Sequence, residues 1–159
     1  FLIDKNQVNV EIDFEGKRYL VEVPQRISTE QLPTLKASEN AIYQGDEIEV
    51  PLIEIAHARS GDKGNHSNIG VIARKADYLP WIRAALTEEA VASYMQHVLD
   101  AEKGRVIRYE LPGLNALNFM LENALGGGGI ASLRIDPQGK AFAQQLLDMP
   151  VKVPRKLIS

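Results

Sequence analysis

No other stretch of this sequence concentrates so many side chains that could do chemistry as HARSGDKGNHSNIG, from His57 to Gly70. It gathers Arg59, Lys63, Asp62, His57, His66, Ser60, Ser67, Asn65 and Asn68 around Gly61, Gly64 and Gly70. Arginine offers a planar fork to a carboxylate or phosphate, and lysine a mobile point charge. Gly61 and Gly64 let the backbone take positive φ or approach a ligand closely. Apolar runs flank the stretch, IEVPLIEIA before and VIA after. A polar loop held between two strands is a common place for binding and catalytic groups.

Three chemistries fit residues 57–68. Anion binding would use Arg59, Lys63 and the N–H groups around Gly61 and Gly64 to cradle a phosphate, a carboxylate or a coenzyme diphosphate. A Walker-type loop is absent, and a strand rather than a helix is expected to follow. Metal binding would use His57, Asp62 and His66, whose spacing matches no standard zinc signature. Acid–base or nucleophilic catalysis would draw on His57, His66, Asp62 or Ser60, but one loop does not supply nucleophile, base and orienter together. Against these stands a structural role. Asp62 would pair with Lys63 or Arg59, and Asn65 and Asn68 would hold the turn through side-chain to backbone bonds.

The run Gly126–Gly129 is the second candidate. One glycine suffices to end a helix, whereas four in succession cost folding entropy that capping does not require. They imply that another backbone, a ligand or the 59–64 loop passes very close. Phosphate-binding glycines precede a helix N-terminus, and these are expected to follow a helix C-terminus. The run therefore reads as close packing or a hinge, with Gly127 and Gly128 beside the site. Asn118 falls within the apolar stripe of an expected helix, where it must find partners or lose about 1–3 kcal/mol.

These residues need elements to position them. Val8, Val10, Ile12 and Phe14 alternate with polar residues, and Tyr19, Val21 and Val23 resume the alternation after Glu15-Gly16-Lys17, so 7–23 reads as a hairpin. Residues 24–46 read as a connecting segment, with a cap at Ser28–Gln31 and a stop at Pro33. Residues 48–58 read as near-continuously β-compatible, interrupted by Pro51, which suits a strand start or an edge, and 69–74 as a second strand. Pro80 opens a helix carrying Trp81, Ile82, Ala85 and Leu86, and Thr87 caps another that runs through Leu99 towards Gly104. A strand at 105–111, a helix at 114–125, a strand at 130–135 and a helix at 140–149 follow, then a short basic tail. The order predicts an α+β fold, a ferredoxin-like two-layer sandwich with a mostly antiparallel sheet, helices on one face and an N-terminal β-hairpin before it. The expected division is 1–50, 51–152 and a tail at 153–159.

Composition bounds the function. The chain has 159 residues, 45% of them hydrophobic and 25% charged, which fits one globular domain with an appendage. A net charge of −3 without a basic stripe argues against nucleic acid and membrane surfaces as partners. Cysteine is absent, which removes disulfides and thiol catalysis and fits a cytoplasmic location. No apolar run reaches the roughly 18 residues of a spanning helix. The chain opens on Phe1 rather than Met, which reads as a fragment or a processed product.

ARSGDKGNHSNIGVIAR, the LT at Thr87, RYELPGLNALNF at 108–119 and ALGGGGIASLRIDPQGKA at 124–141 occur in order. Together they resemble the C-terminal ferredoxin-like module of the acyclic terpene utilisation protein A (AtuA) family, over residues of about 52–150. The resemblance implies a small module or subunit of a larger AtuA-type protein, in the breakdown of branched acyclic terpenoids by way of acyl-CoA thioesters. It supplies no catalytic residues. No cofactor is evident, and a CoA thioester is the expected ligand type. On physical grounds the ligand-binding candidates are Arg59, Ser60, Gly61, Asp62, Lys63, Gly64, Asn65, Asn68, Asn118, Gly127 and Gly128. The leading expectation is that residues 59–68 bind an acyl-CoA or carboxylate beside a larger AtuA-type domain or subunit. The alternative is a non-catalytic oligomerisation or protein-interaction domain, and a homo-oligomer is expected.

Overall fold

A computed structural model describes residues 7–22 and 45–158. The chain divides into two units, Phe1–Thr34 and Leu35–Ser159. The expected connecting segment at 24–46, with its cap and its Pro33, lies outside the described residues up to residue 44.

In the first unit, strands β1 (Glu11–Phe14) and β2 (Lys17–Leu20) form the expected antiparallel hairpin. Its two turn residues, Glu15 and Gly16, both have positive φ, the geometry that matches the twist of paired strands. Alternation puts Ile12, Phe14 and Tyr19 on one face, all of them exposed.

The second unit is built on a four-stranded antiparallel sheet: β4 (Ala56–Lys63), β5 (His66–Ala73), β6 (Arg105–Leu111) and β7 (Ala116–Glu122), in the order β4-β5-β7-β6. Period-two alternation divides it into two faces. One face carries Ser60, Ile69, Val71, Leu117, Phe119, Leu121 and Val106, all buried. The helices α1 (Leu79–Ala85), α2 (Glu88–Tyr94) and α3 (Phe142–Leu147) lie on this side. Arg83 of α1 makes a bidentate ion pair with Glu110 at 2.9 Å, and Arg108 donates to the Arg83 carbonyl. The α+β sandwich with helices on one face is therefore present. Leu52, Ile55, Ile82, Leu86, Met95, Leu125 and Leu146 complete the core with no exposed surface or almost none.

Several expected elements differ. Residues 48–58 do not form one strand: β3 (Glu47–Pro51) ends at Pro51, and a 3₁₀ turn at Leu52–Glu54 buries Leu52 before β4 begins. Beyond α3, β8 (Pro150–Pro154) runs antiparallel to β3. The helix expected at 114–125 is strand β7. Leu114, Leu117, Leu121 and Leu125 do recur at helical spacing, but Gly113 and Asn115 both take positive φ and turn the chain back on β6. Pairing on both sides, with β5 and β6, overrides the helical period. The strand expected at 130–135 is absent, because four consecutive glycines with positive φ curl the chain into turns. Arg134 then fastens that loop by donating to the carbonyls of Val98 and Ala124.

Other expectations hold. Pro80 sits in the first turn of α1, and the Thr87 hydroxyl accepts from the Ala90 N–H at 3.1 Å, capping α2. The second helix stops at Tyr94, well short of Gly104. Glu89 at its start accepts hydrogen bonds from its own backbone N–H and from Thr87, which hold its carboxyl below the ordinary glutamate value. The edge strand β6 is guarded: Glu88 accepts from the outward N–H of Arg108 at 2.7 Å, removing one donor that another strand would need.

Candidate functional site

The stretch read as a loop is a hairpin. Strands β4 and β5 pair from Ala56↔Ala73 to Lys63↔His66, joined by a two-residue turn of Gly64 and Asn65. Gly64 takes φ 67 at the first turn position, where tight hairpins favour glycine. Strand geometry then sorts the candidates. Ser60 and Asp62 point to the helix side, while Arg59, Gly61 and Lys63 point to the open face with Asn68 and, from β7, Asn118.

On the helix side Ser60 is fully engaged. Its hydroxyl donates to the Lys140 carbonyl at 3.1 Å and accepts from the Ala143 N–H at 3.0 Å, so it anchors the start of α3 rather than serving as a nucleophile. Asp62 pairs with neither Lys63 nor Arg59 through its carboxylate. That carboxylate lies 3.9 Å from Lys140 Nζ, and Lys63 Nζ donates to the Asp62 backbone carbonyl at 2.9 Å.

The hairpin tip meets the glycine loop. Asn65 Oδ1 accepts from the Gly127 N–H at 2.7 Å, its amide donates to Asn123 Oδ1 at 3.1 Å, and its carbonyl accepts from Leu125 N. The Asn123 N–H donates to His66 Nδ1 at 2.9 Å. Gly128 is buried against the turn. A Cβ there would stand 2.6 Å from the Gly64 carbonyl carbon and 2.9 Å from the Asn65 nitrogen. This is the close backbone approach that four glycines imply. The Asn65–Gly127 hydrogen bond and the packing of Gly128 against the Gly64–Asn65 turn thus form a locked joint.

The open face differs. Its rows, read across β4, β5, β7 and β6, are His57–Ile72–Ala116–Leu111, Arg59–Gly70–Asn118–Tyr109 and Gly61–Asn68–Met120–Ile107. Asn68 donates to Asn118 Oδ1 at 3.0 Å, so Asn118 lies on a strand face and finds its partner there. Gly70 leaves a dent at the centre. With Ala116 it floors a mostly apolar depression of about 310 Å³, walled by His57, Arg59, Ile72 and Leu111. Arg59 is exposed, and its guanidinium makes no hydrogen bond or ion pair among the described residues. Tyr109, half-exposed, stands in the Arg59 row.

The sequence singled out Arg59 but not Gly70, Ile72, Ala116 and Leu111, which border the depression beside it. The alternation of Leu117, Phe119 and Leu121 carried the missing signal, since a strand there would have placed Asn118 beside Gly70. The metal reading fails on distance. His57 sits opposite Ile72 and His66 opposite Lys63, so six positions of β4 separate the two ends, about 20 Å. Among the described residues no group of three or more His, Asp or Glu could hold a metal ion. No described helix is long and apolar enough to cross a membrane.

An antiparallel sheet covered by helices on one side, with Arg59 beside an apolar hollow on the other, defines a two-layer α+β domain. Residues 50–152 match the AtuA ferredoxin-like domain. The chain belongs to that family. No curated protein and no solved structure matches it.

Proposed function

We propose that the open sheet face binds a small carboxylate with an aliphatic tail, the acid or acyl end of an intermediate in acyclic terpenoid or branched-acid breakdown. The observation that carries this reading is the pairing of an unengaged guanidinium, Arg59, with the apolar depression beside it. Arg59 holds the carboxylate through two parallel N–H···O bonds. Ile72, Leu111 and Ala116 take the tail, and Asn118 and Tyr109 continue the Arg59 row across the sheet. Ligand pockets commonly span about 300–1,000 Å³, so the hollow is at the small end and suits an acyl group. In a CoA thioester, which has no free carboxylate, Arg59 would donate to the single carbonyl oxygen, and the nucleotide would lie outside the hollow, towards Lys63 and Lys140. Membership of the AtuA family supports the substrate class, and a larger AtuA-type domain or subunit is the proposed partner in a cytoplasmic assembly.

The test is titration of the full chain with citronellate and with its CoA thioester. Arg59→Ala should weaken binding at least about tenfold, the worth of one charge-assisted pair, while the urea unfolding midpoint stays in place. Undiminished affinity in Arg59→Ala would sink the proposal.

A further inference from the structure

The glycine loop carries three aliphatic side chains in full solvent: Ile130, Leu133 and Ile135, with relative exposures of 105%, 101% and 106%. Scattered apolar residues on a surface are ordinary, but three within six positions of one fastened loop are a concentrated patch. The loop is held firmly. Arg134 ties it to Val98 and Ala124, and Gly128 wedges it against the hairpin turn. It therefore presents these side chains as a fixed knob.

The knob and the depression lie at opposite ends of one sheet. The loop joins the sheet at Gly64 and Asn65, whereas the depression is centred on the rows of Arg59 and His57. The strand length between them is about 20 Å, so a chain is not placed to fill its own hollow. Removing one leucine side chain from a core leaves about 150 Å³. A hollow of about 310 Å³ therefore suits two aliphatic side chains. The charges also match. Asp136 follows Ile135 directly, and the rim of the hollow holds Arg59, which has no ion pair among the described residues. Asp136 already accepts from the N–H groups of Lys140 and Ala141, and a carboxylate keeps lone pairs for a guanidinium besides.

We infer that a second copy of this chain docks head to tail, its Leu133 and Ile135 entering the depression between Ile72 and Leu111, and its Asp136 meeting Arg59. Such a contact uses two different patches, so it propagates into a ring or a short filament rather than stopping at a symmetric pair. It uses the hollow that the proposed ligand would occupy, so ligand and neighbouring loop exclude each other. The contact itself needs no ligand.

The experiment is multi-angle light scattering on the full chain across a concentration series, without ligand. The wild type should show a mass above that of one chain, rising with concentration. Leu133→Asp and Ile72→Asp, both at exposed positions, should each be monomeric with an unchanged circular dichroism spectrum. Mixed together, these variants retain one intact knob and one intact hollow, and should form a dimer and nothing larger. A wild type that stays monomeric at its highest soluble concentration overturns the inference. So does a loss of assembly with Leu133→Asp but not with Ile72→Asp, which would mean that the loop meets some other surface. Because loop and ligand compete for one hollow, the ligand titration is read on Leu133→Asp, whose hollow is intact, so that the two readings fail independently.

Discussion

The two ends of the β4–β5 hairpin make a useful contrast. At the tip, nearly every polar atom that looks reactive in sequence is engaged inside the chain. Asn65 bonds to Gly127 and Asn123, His66 accepts from Asn123, and Ser60 is bracketed by Lys140 and Ala143 further along β4. On the open face a few residues away, Arg59 has no hydrogen-bond or ion-pair partner among the described residues and stands beside a hollow. A dense cluster of polar residues thus marks structure as readily as function. The better indicator of a binding site is a charge left without a partner next to surface left without cover.

If the tip is a structural joint, small changes there should cost stability and leave binding alone. Gly128→Ala should have the largest effect. Its added Cβ would strike the backbone of Gly64 and Asn65, and its φ of +69 disfavours any side chain. A loss of about 2–4 kcal/mol is expected by urea denaturation, combining left-handed strain with overpacking. Gly64→Ala makes the internal control. It shares a positive φ of +67, but a Cβ there meets nothing within 4 Å, so only the conformational cost of about 1–2 kcal/mol should appear. Equal losses in the two variants would mean that the close approach to Gly128 does not matter to stability.

Ser60→Ala should come next, at about 1–3 kcal/mol, because it leaves the Ala143 N–H buried without its acceptor. Carboxylate affinity should not change, since Ser60 faces the helices. A variant of full stability that has lost binding would return Ser60 to the site and undo the contrast.

How much of this was legible in the sequence depends on the range of the forces involved. The first hairpin, the caps at Pro80 and Thr87 and the strand at 105–111 follow from residues close in sequence, and the sequence predicts them. The glycine run was legible too. Four glycines implied a backbone passing close, and Gly128 meets the 64–65 turn. The strand at 116–122 was not legible, because its leucines satisfy both periods and only pairing with β5 and β6 decides between them. The open face escaped for the same reason: with a helix assumed at 114–125, Asn118, Ala116 and Leu111 had no common surface. Arg59 was singled out for its charge, but its apolar neighbours come from β5, β6 and β7, which only the strand order brings together.

A test from the other side leaves the joint intact and fills the hollow. A Cβ on Gly70 would lie 3.9 Å from the Arg59 carbonyl and 4.0 Å from Asn118 Oδ1, both ordinary contacts, and its φ is not in the left-handed region. Gly70→Val should therefore keep the fold and gain up to about 1 kcal/mol, since glycine weakens a strand interior. It should also abolish binding of an aliphatic carboxylate. Retained affinity with an unchanged fold would place the ligand elsewhere.

The smallest effect concerns the scaffold behind the tip, and it appears only with pH. Asp100 accepts from the N–H groups of Lys103 and Glu102, and these bonds hold its carboxyl below the ordinary aspartate value. Its own N–H donates to the Asn123 carbonyl, so the turn it closes abuts the Asn65–Asn123–His66 network. A carboxyl that ionises more readily in the folded chain than in the unfolded one stabilises the fold only while charged. That contribution is complete above the ordinary aspartate range, near pH 4, and fades as pH falls through the depressed folded value. Melting temperatures of the wild type and Asp100→Asn should accordingly differ slightly at neutral pH and converge in acid. The group is fully exposed, so the gap should be small and should shrink further in salt. A gap that widens as pH falls would reverse the sign, and Asp100 would then be a strained carboxylate rather than a support for the tip.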